Sequence, residues 1–200
     1  MKNLLALSVT VILLFVILGA LPIHGESEIY DNVLRLHVLA NSDSNEDQAL
    51  KLKVRDAILE RSKELFCTAK TKEDAALAIN ANIDALTETA RQVISENGYD
   101  YPVSVTLTEE RYPTKSYESL CFPSGKYLSL RVMIGEAEGQ NWWCVLFPPL
   151  CLSAATEKTT AEDAFISVGL TGEQYRIITE SDNAKYTVRF KILETIEGLR

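Results

Sequence analysis

The chain has 200 residues, with 28 acidic against 20 basic side chains and a formal net charge of −8 at pH 7. Such an acidic surface gives no electrostatic footprint for nucleic acid and no attraction to anionic lipid headgroups, so a protein or a small molecule is the better partner. The length suits one ordinary domain with its own core.

Met1-Lys2 leads into a nearly uninterrupted apolar run from Leu4 to Leu21, and no charge falls between Lys2 and Glu26. A single cation, an apolar stretch and then polar chain is the order of a secretory signal. The run falls just short of the roughly 20 residues of a comfortable membrane span, and Leu18-Gly19-Ala20 is an imperfect cleavage site. Residues 1–25 are therefore expected to be either a cleaved signal peptide or a retained membrane anchor. Residues 26–200 follow as one exported domain, since Lys2 favours an inside N-terminus.

Val33 to Ala40 alternates as a strand, with Leu34, Leu36 and Val38 on one face and Arg35 and His37 on the other. Asn41-Ser42-Asp43 breaks it, and Ser44 with Asp47 reads as a capping box. The helix that follows carries Leu50, Val54, Ala57, Ile58 and Leu65 on one stripe and ends near Phe66. Lys51, Lys53, Arg55 and Glu60 are expected on its outer face. Thr71 with Asp74 makes a second capping box. It opens one long helix through Ala75, Ile79, Ile83, Leu86, Ala90 and Ile94, and Asn97-Gly98 stops it.

Tyr101 to Leu107 is a strand, and Arg111 to Gly125, with Pro113 and Pro123, reads as a loop. Leu128, Leu130, Val132 and Ile134 form the next strand. Gly135 to Asn141 is a turn, and Trp142 to Phe147 is expected as the return strand of a hairpin. Pro148-Pro149 stops it. Ser153 to Thr160 is polar loop, and Thr160 with Asp163 is a third capping box before a short helix. The tail at 184–199 fits both periodicities, and its Lys, Glu and Leu content favours a helix. The fold class is α+β: a single domain with a small, mainly antiparallel sheet and helices packed on one face, preceded by the N-terminal signal or anchor helix.

The candidate chemistry is sparse. The cysteines are Cys67, Cys121, Cys144 and Cys151, with no CxxC; in an exported chain they are expected to pair, and three pairings exist. A Cys144–Cys151 bridge needs Cα atoms about 4.4–6.8 Å apart, whereas seven extended steps span roughly 23 Å. The chain would have to fold back at Pro148-Pro149. Cys67 and Cys121 would be the second pair. A cysteine nucleophile would have to use His37, since His24 lies at the leader junction, and the large apolar neighbours of the cysteines do not favour a thiolate. An exported cell-wall hydrolase with a Cys/His pair is the alternative function.

Asp43, Asn45 and Asp47 mimic the start of a calcium loop, but Gln48 and Val54 stand where that loop needs Gly and Glu. No metal and no cofactor is expected. Glu109-Glu110 and Glu136/Glu138 are too close in sequence, or on a turn, to clasp a glycosidic bond. On the strand Trp142–Phe147, Trp142, Cys144 and Leu146 face one way, and Trp143, Val145 and Phe147 the other. Both faces want cover. Either the strand is central and the chain's own helices cover it, or another protein covers one face or the bend at Phe147-Pro148-Pro149-Leu150.

Three stretches carry a resemblance: "LRLHVLANSDSNEDQALKLKVRDAILE" from Leu34 to Glu60, "NWWCVLFPPLC" from Asn141 to Cys151, and "VRFKILE" from Val188 to Glu194. Together they resemble the stage II sporulation protein R family of endospore-forming bacteria. The resemblance implies a signalling protein with no catalytic residue. It would be made in the forespore and exported into the space between the two membranes that separate it from the mother cell. There it would activate a membrane-embedded aspartic protease that processes the sigma-E precursor. The family's motif falls on Arg35, Asn41, Ser42, Asp43, Asp47, Gln48, Lys51, Arg55 and Asp56. Those positions other than Asp56, together with His37, are the expected partner-binding residues, extended to the bend at Phe147, Pro148 and Pro149.

Overall fold

Alternation along Leu34–Leu39 builds a strand in which every residue is buried, so it needs neighbours on both edges and cover on both faces. The computed structural model, which describes residues 7–11, 13, 26–117, 120–148, 165, 166, 171 and 178, supplies both. Its helices are α1 (Glu26–Asn32), α2 (Asn45–Leu65), α3 (Lys72–Asn80) and α4 (Ile83–Glu96). Its strands are β1 (Leu34–Leu39), β2 (Val103–Tyr112), β3 (Lys115–Tyr117), β4 (Leu120–Phe122), β5 (Gly125–Ile134) and β6 (Asn141–Phe147). A four-stranded sheet runs β2-β5-β1-β6, and β3 pairs with β4 separately. The sheet is mixed: β1 runs parallel to β5, while β1–β6 and β2–β5 are antiparallel.

The main core lies between one sheet face and helices α2 to α4. Leu34, Leu36 and Val38 of β1 meet Leu130, Val132 and Ile134 of β5, and Leu50, Val54 and Ile58 close over them from α2. The four-residue spacing on α2 sets those three on one stripe, and each buried side chain of this size contributes about 1.5–3 kcal/mol. The opposite face is covered as well. Ile29 and Val33 pack there with Tyr112, Phe122, Tyr127, Val145, Phe165 and Ile178. The sheet therefore has helices α2 to α4 on one side, and α1 with the β3–β4 hairpin on the other.

Several sequence expectations change, the first being helices on one face only, since α1 packs on the other face through Ile29. The long helix after Thr71 is two helices, α3 and α4, separated at Ala81 and Asn82. Asn82 Nδ2 donates to the Ala78 carbonyl at 2.8 Å, a local bond that competes with the helical ladder. The apolar stripe survives the break, since Ile79, Leu86, Ala90 and Ile94 all stay buried. The expected loop at 111–125 is mostly strand. Pro113 follows β2 and Pro123 follows β4, so each sits between strands, where a missing N–H breaks no ladder bond.

The expected hairpin of β5 and β6 does not form. β1 lies between them and bonds both, so the turn at 135–140 crosses the end of β1. β6 is consequently the edge, not the centre, of the four-stranded sheet among the described residues. A register shift pairs Leu34 with Phe147 but Arg35 with Val145, leaving Leu146 as an extra residue. That bulge turns Phe147 onto the helix face, 5.6 Å from the Phe66 ring, rather than onto the face of Trp143 and Val145.

Cys144 is disulfide-bonded, and Cys67 and Cys121 are free thiols, which overturns the expected Cys67–Cys121 bridge. Cys151, Pro149, the capping box at Thr160–Asp163 and the tail at 184–199 lie outside the described residues. Most of the apolar leader lies outside them too, and among the described residues no helix is long and apolar enough to cross a membrane.

Candidate functional site

The motif at the end of β1 folds into a clamp. Asn41 leaves the strand with its carboxamide wedged between two elements: Nδ2 donates to Asp47 Oδ2 of α2 at 2.8 Å, and Oδ1 accepts the Glu136 amide at 3.0 Å. Ser42 Oγ donates to the same Asp47 oxygen at 2.6 Å. The capping box is thus half of what the spacing suggests. Ser44 Oγ accepts the Asp47 amide at 3.1 Å, but the Asp47 carboxylate turns to Asn41 and Ser42 rather than back to the cap. Burial alone would raise the Asp47 pKa; hydrogen bonds from Ser42, Asn41, Tyr101 and Ser44 outweigh it and hold the carboxyl below its ordinary value.

The β5–β6 turn is stapled onto this clamp. Asp43 Oδ1 accepts the Gln140 amide at 2.7 Å, and the Ala40 carbonyl accepts from Gly139 at 3.0 Å. Gln48 Nε2 donates to the Ser42 carbonyl at 2.9 Å. Lys51, expected on the outer face of α2, is only 4% exposed. Its ammonium donates to Gln48 Oε1 and, at 2.8 Å, to the Gln140 carbonyl. Desolvation lowers its pKa, Asp43 raises it and Arg55 lowers it again, with a net downward shift. Two glycines make the fit possible: a Cβ on Gly135 would stand 2.1 Å from Asn41 Oδ1, and one on Gly139 2.3 Å from the Ser42 carbonyl oxygen. The polar atoms of Asn41, Ser42, Asp47, Gln48 and Lys51 are therefore engaged within the chain. The charged groups this pole exposes are acidic, Asp43, Glu46, Glu136 and Glu138, and Ser44, Asn45 and Gln140 are exposed among them.

Arg35 is fully buried, so its guanidinium has no surface to offer a partner. Nε donates to the Cys144 carbonyl at 3.1 Å, and the group lies 4.5 Å from the Tyr112 ring centroid and 5.0 Å from those of Phe122 and Tyr127. It cements β1, β2, β4 and β5 on the face away from α2. His37, two residues on, is also buried. Its ring nitrogens meet Glu110 and Asn141, and Arg131 Nε lies 3.3 Å from Glu110 Oε1. Desolvation would raise the Glu110 carboxyl, but His37, Ser129 and Arg131 hold it below its ordinary value.

Arg55 is the motif cation nearest the surface. It stacks 4.3 Å above the Trp142 ring and pairs with Asp56, with 17% of its side chain exposed. At the other end of β6, Phe147 and Pro148 are buried, so the Phe147 ring anchors the chain's own core. Register sets Leu39 beside Asn141 and Leu34 beside Phe147. The loop pole and the Pro148 bend therefore stand about 17 Å apart along β1, at opposite ends of the sheet and not in one patch.

Catalytic geometry is thin. Cys144 pairs in register with Leu36 and faces the helix core, while His37 faces the other side. Among the described residues no group of three or more His, Cys, Asp or Glu could hold a metal ion. Gly135, Gly139, Glu110 and Asn141 are essential to these clusters, and sequence reasoning had no local signal for any of them beyond the glycines in an acidic turn.

Comparison with known proteins adds the following. The family model described as Stage II sporulation protein R (spore_II_R) matches residues 30–157, a span that includes every strand of the sheet. Stage II sporulation protein R of Bacillus subtilis (strain 168) is 37% identical over 124 residues, which is 60% of this chain and 54% of that relative. The chain thus spans about half the length of the curated relative it matches. No solved structure matches it.

Proposed function

We propose, from the premise that this chain belongs to the stage II sporulation protein R family, that it is an exported signal of endospore formation that works by docking. It is made in the forespore and delivered to the space between the two membranes. There it activates the membrane-embedded aspartic protease that processes the sigma-E precursor in the mother cell. The observation that carries this reading is the family match across residues 30–157. The geometry supports a docking role in a specific way. The motif's polar atoms fix the shape of the loop pole, and the groups left exposed there are acidic and neutral polar side chains with no thiol or imidazole among them. We take the contact surface to be the exposed residues of that pole and the neighbouring Arg55; Arg35 is fully buried.

The Cys/His hydrolase alternative is disfavoured, because the Cys144 sulfur is bonded and lies across the sheet from His37. Co-expression with the protease and its precursor in a non-sporulating host tests the proposal. Precursor cleavage should depend on this chain and on its leader; cleavage at the same level without the chain would overturn it.

A further inference from the structure

Among the described residues the four-stranded sheet has two outer strands, β2 and β6, and they differ. β6 is blunted. The extra residue at Leu146 breaks its register, Cys144 to Phe147 are buried, and Pro148 follows. Bulges, cover and proline are how sheet edges are kept from pairing with other chains. β2 has none of these along Val103–Thr108. Its register to β5 runs unbroken from Val103 to Tyr112, and the segment VSVTLT holds no charge and no proline.

The direction of its outer polar groups follows from one bond. Gly135 donates its amide to the Pro102 carbonyl at 2.8 Å, one step beyond the Val103–Ile134 pair. Alternate residues of an antiparallel strand turn both backbone groups to the partner strand. Ser104, Thr106 and Thr108 therefore point their N–H and C=O at β5. Val103, Val105 and Leu107 turn theirs to the outer edge. The side chains alternate too. Val103, Val105 and Leu107 pack on the helix face, with Val103 and Leu107 only half-buried. Ser104 and Thr106 are exposed on the other face, with Thr108 half-buried beside them.

An edge of this pattern is complementary to itself. A two-fold axis perpendicular to the sheet lays one β2 antiparallel to another and keeps each face with its like. We propose that β2 pairs in this way with β2 of a second copy of this chain, with Thr106 on the axis. That register sets Val105 opposite Leu107, Ser104 opposite Thr108 and Thr106 opposite its own copy. Apolar and hydroxyl cross-strand pairs of this kind stabilise sheets. The register also keeps like charges apart. Glu109, Glu110 and Arg111 fall opposite Val103, Pro102 and Tyr101, none of them charged. Centring the pair on Val105 instead would set Glu110 against Asp100. The two sheets then become one continuous sheet, and the half-buried Val103 and Leu107 gain cover. This interface is independent of the signalling reading.

The register makes the test specific. In a non-hydrogen-bonded pair the opposed Cα atoms stand about 4.5 Å apart, within the range of a disulfide. Ser104 and its own copy would stand roughly 14 Å apart along the strands. The full chain is purified in detergent with Cys67→Ser and Cys121→Ser, which remove the free thiols, then oxidised and run on a non-reducing gel. Thr106→Cys in that chain should run as a dimer. Ser104→Cys and Thr108→Cys should each stay monomeric alone and cross-link to each other when mixed. Adding Thr106→Lys to both chains of the mixture should abolish that link, because like charges would meet directly across the axis. A folded Thr106→Cys chain that stays monomeric would overturn the pairing; should that variant fail to fold, absence of the mixed link would overturn it. So would Ser104→Cys linking to itself as readily as to Thr108→Cys, or the mixed link surviving Thr106→Lys.

Discussion

The two ends of β1 are secured by opposite means. At its start, an arginine is packed among Tyr112, Phe122 and Tyr127, and Phe147 seats against Phe66. At its finish, short polar side chains and two glycines bring two loops within hydrogen-bond reach. The contrast teaches how to read a charged motif. Arg35 and Asp47 sit in the same motif and both are buried, yet one serves a ring-lined core and the other ties loop to helix. Neither offers its charge outward, and the residues free to touch a partner are the less distinctive ones around them.

Substitutions should separate the two ends. The largest effect is expected at the start of the strand. Arg35→Ala removes a desolvated cation from three rings and a charged donor from the Cys144 carbonyl, at a cost on the order of 3 kcal/mol or more. Urea denaturation should show it as a large fall in midpoint, with Arg35→Lys only partly restoring it, because an ammonium lacks the flat face that stacks.

At the finish of the strand, Gly135→Ala drives a Cβ into Asn41 at a left-handed φ and should cost about 2 kcal/mol. Asp47→Asn should cost about 2 kcal/mol at pH 7 by weakening bonds to an ionised acceptor. Its pH dependence sharpens the point. Asp47 and Glu110 both have folded pKa values below the ordinary 3.8 and 4.5. Their stabilisation is complete above those values and is lost as pH falls through the folded ones. The wild type should therefore weaken on acidification below about pH 4.5, and Asp47→Asn should follow a flatter curve, read from urea midpoints between pH 7 and pH 3.

The smallest effect on stability is expected for Arg55→Glu, about 1–2 kcal/mol for a largely covered stack on Trp142. The same change should abolish the proposed protease activation, since it reverses a charge on the proposed contact surface. A normal rate of precursor cleavage with Arg55→Glu would move the contact elsewhere.

Much of the fold was legible in local pattern. The alternation of β1, the stripe of α2, the cap at Thr71 and the strands at 103 and 128 all follow from periodicity and turn chemistry. What failed was non-local or disguised. β5 and β6 look like a hairpin because only a short turn separates them, and nothing local announces that a strand from far upstream inserts between them. Pro113 and Pro123 read as loop signals because proline marks strand ends as well as loops. Asn82 breaks a helix whose apolar period continues across it. In the site, Lys51 was expected outside because lysine ordinarily is. Its burial depends on the Gln140 carbonyl, which arrives from 89 residues downstream in the chain. Arg35 and His37 were correctly set on one strand face, but the rings that enclose Arg35 come from β2, β4 and β5.

The central claim is that the motif shapes a pole and that the exposed charges on and beside it make the contact. It is tested most directly by a triple variant, Glu136→Lys, Glu138→Lys and Arg55→Glu, in the co-expression cleavage assay, with the melting temperature of the same chain measured alongside. The account predicts a melting temperature within a few degrees of the wild type, as expected for surface changes, and no cleavage of the precursor. Cleavage at the wild-type rate by that folded variant would contradict it.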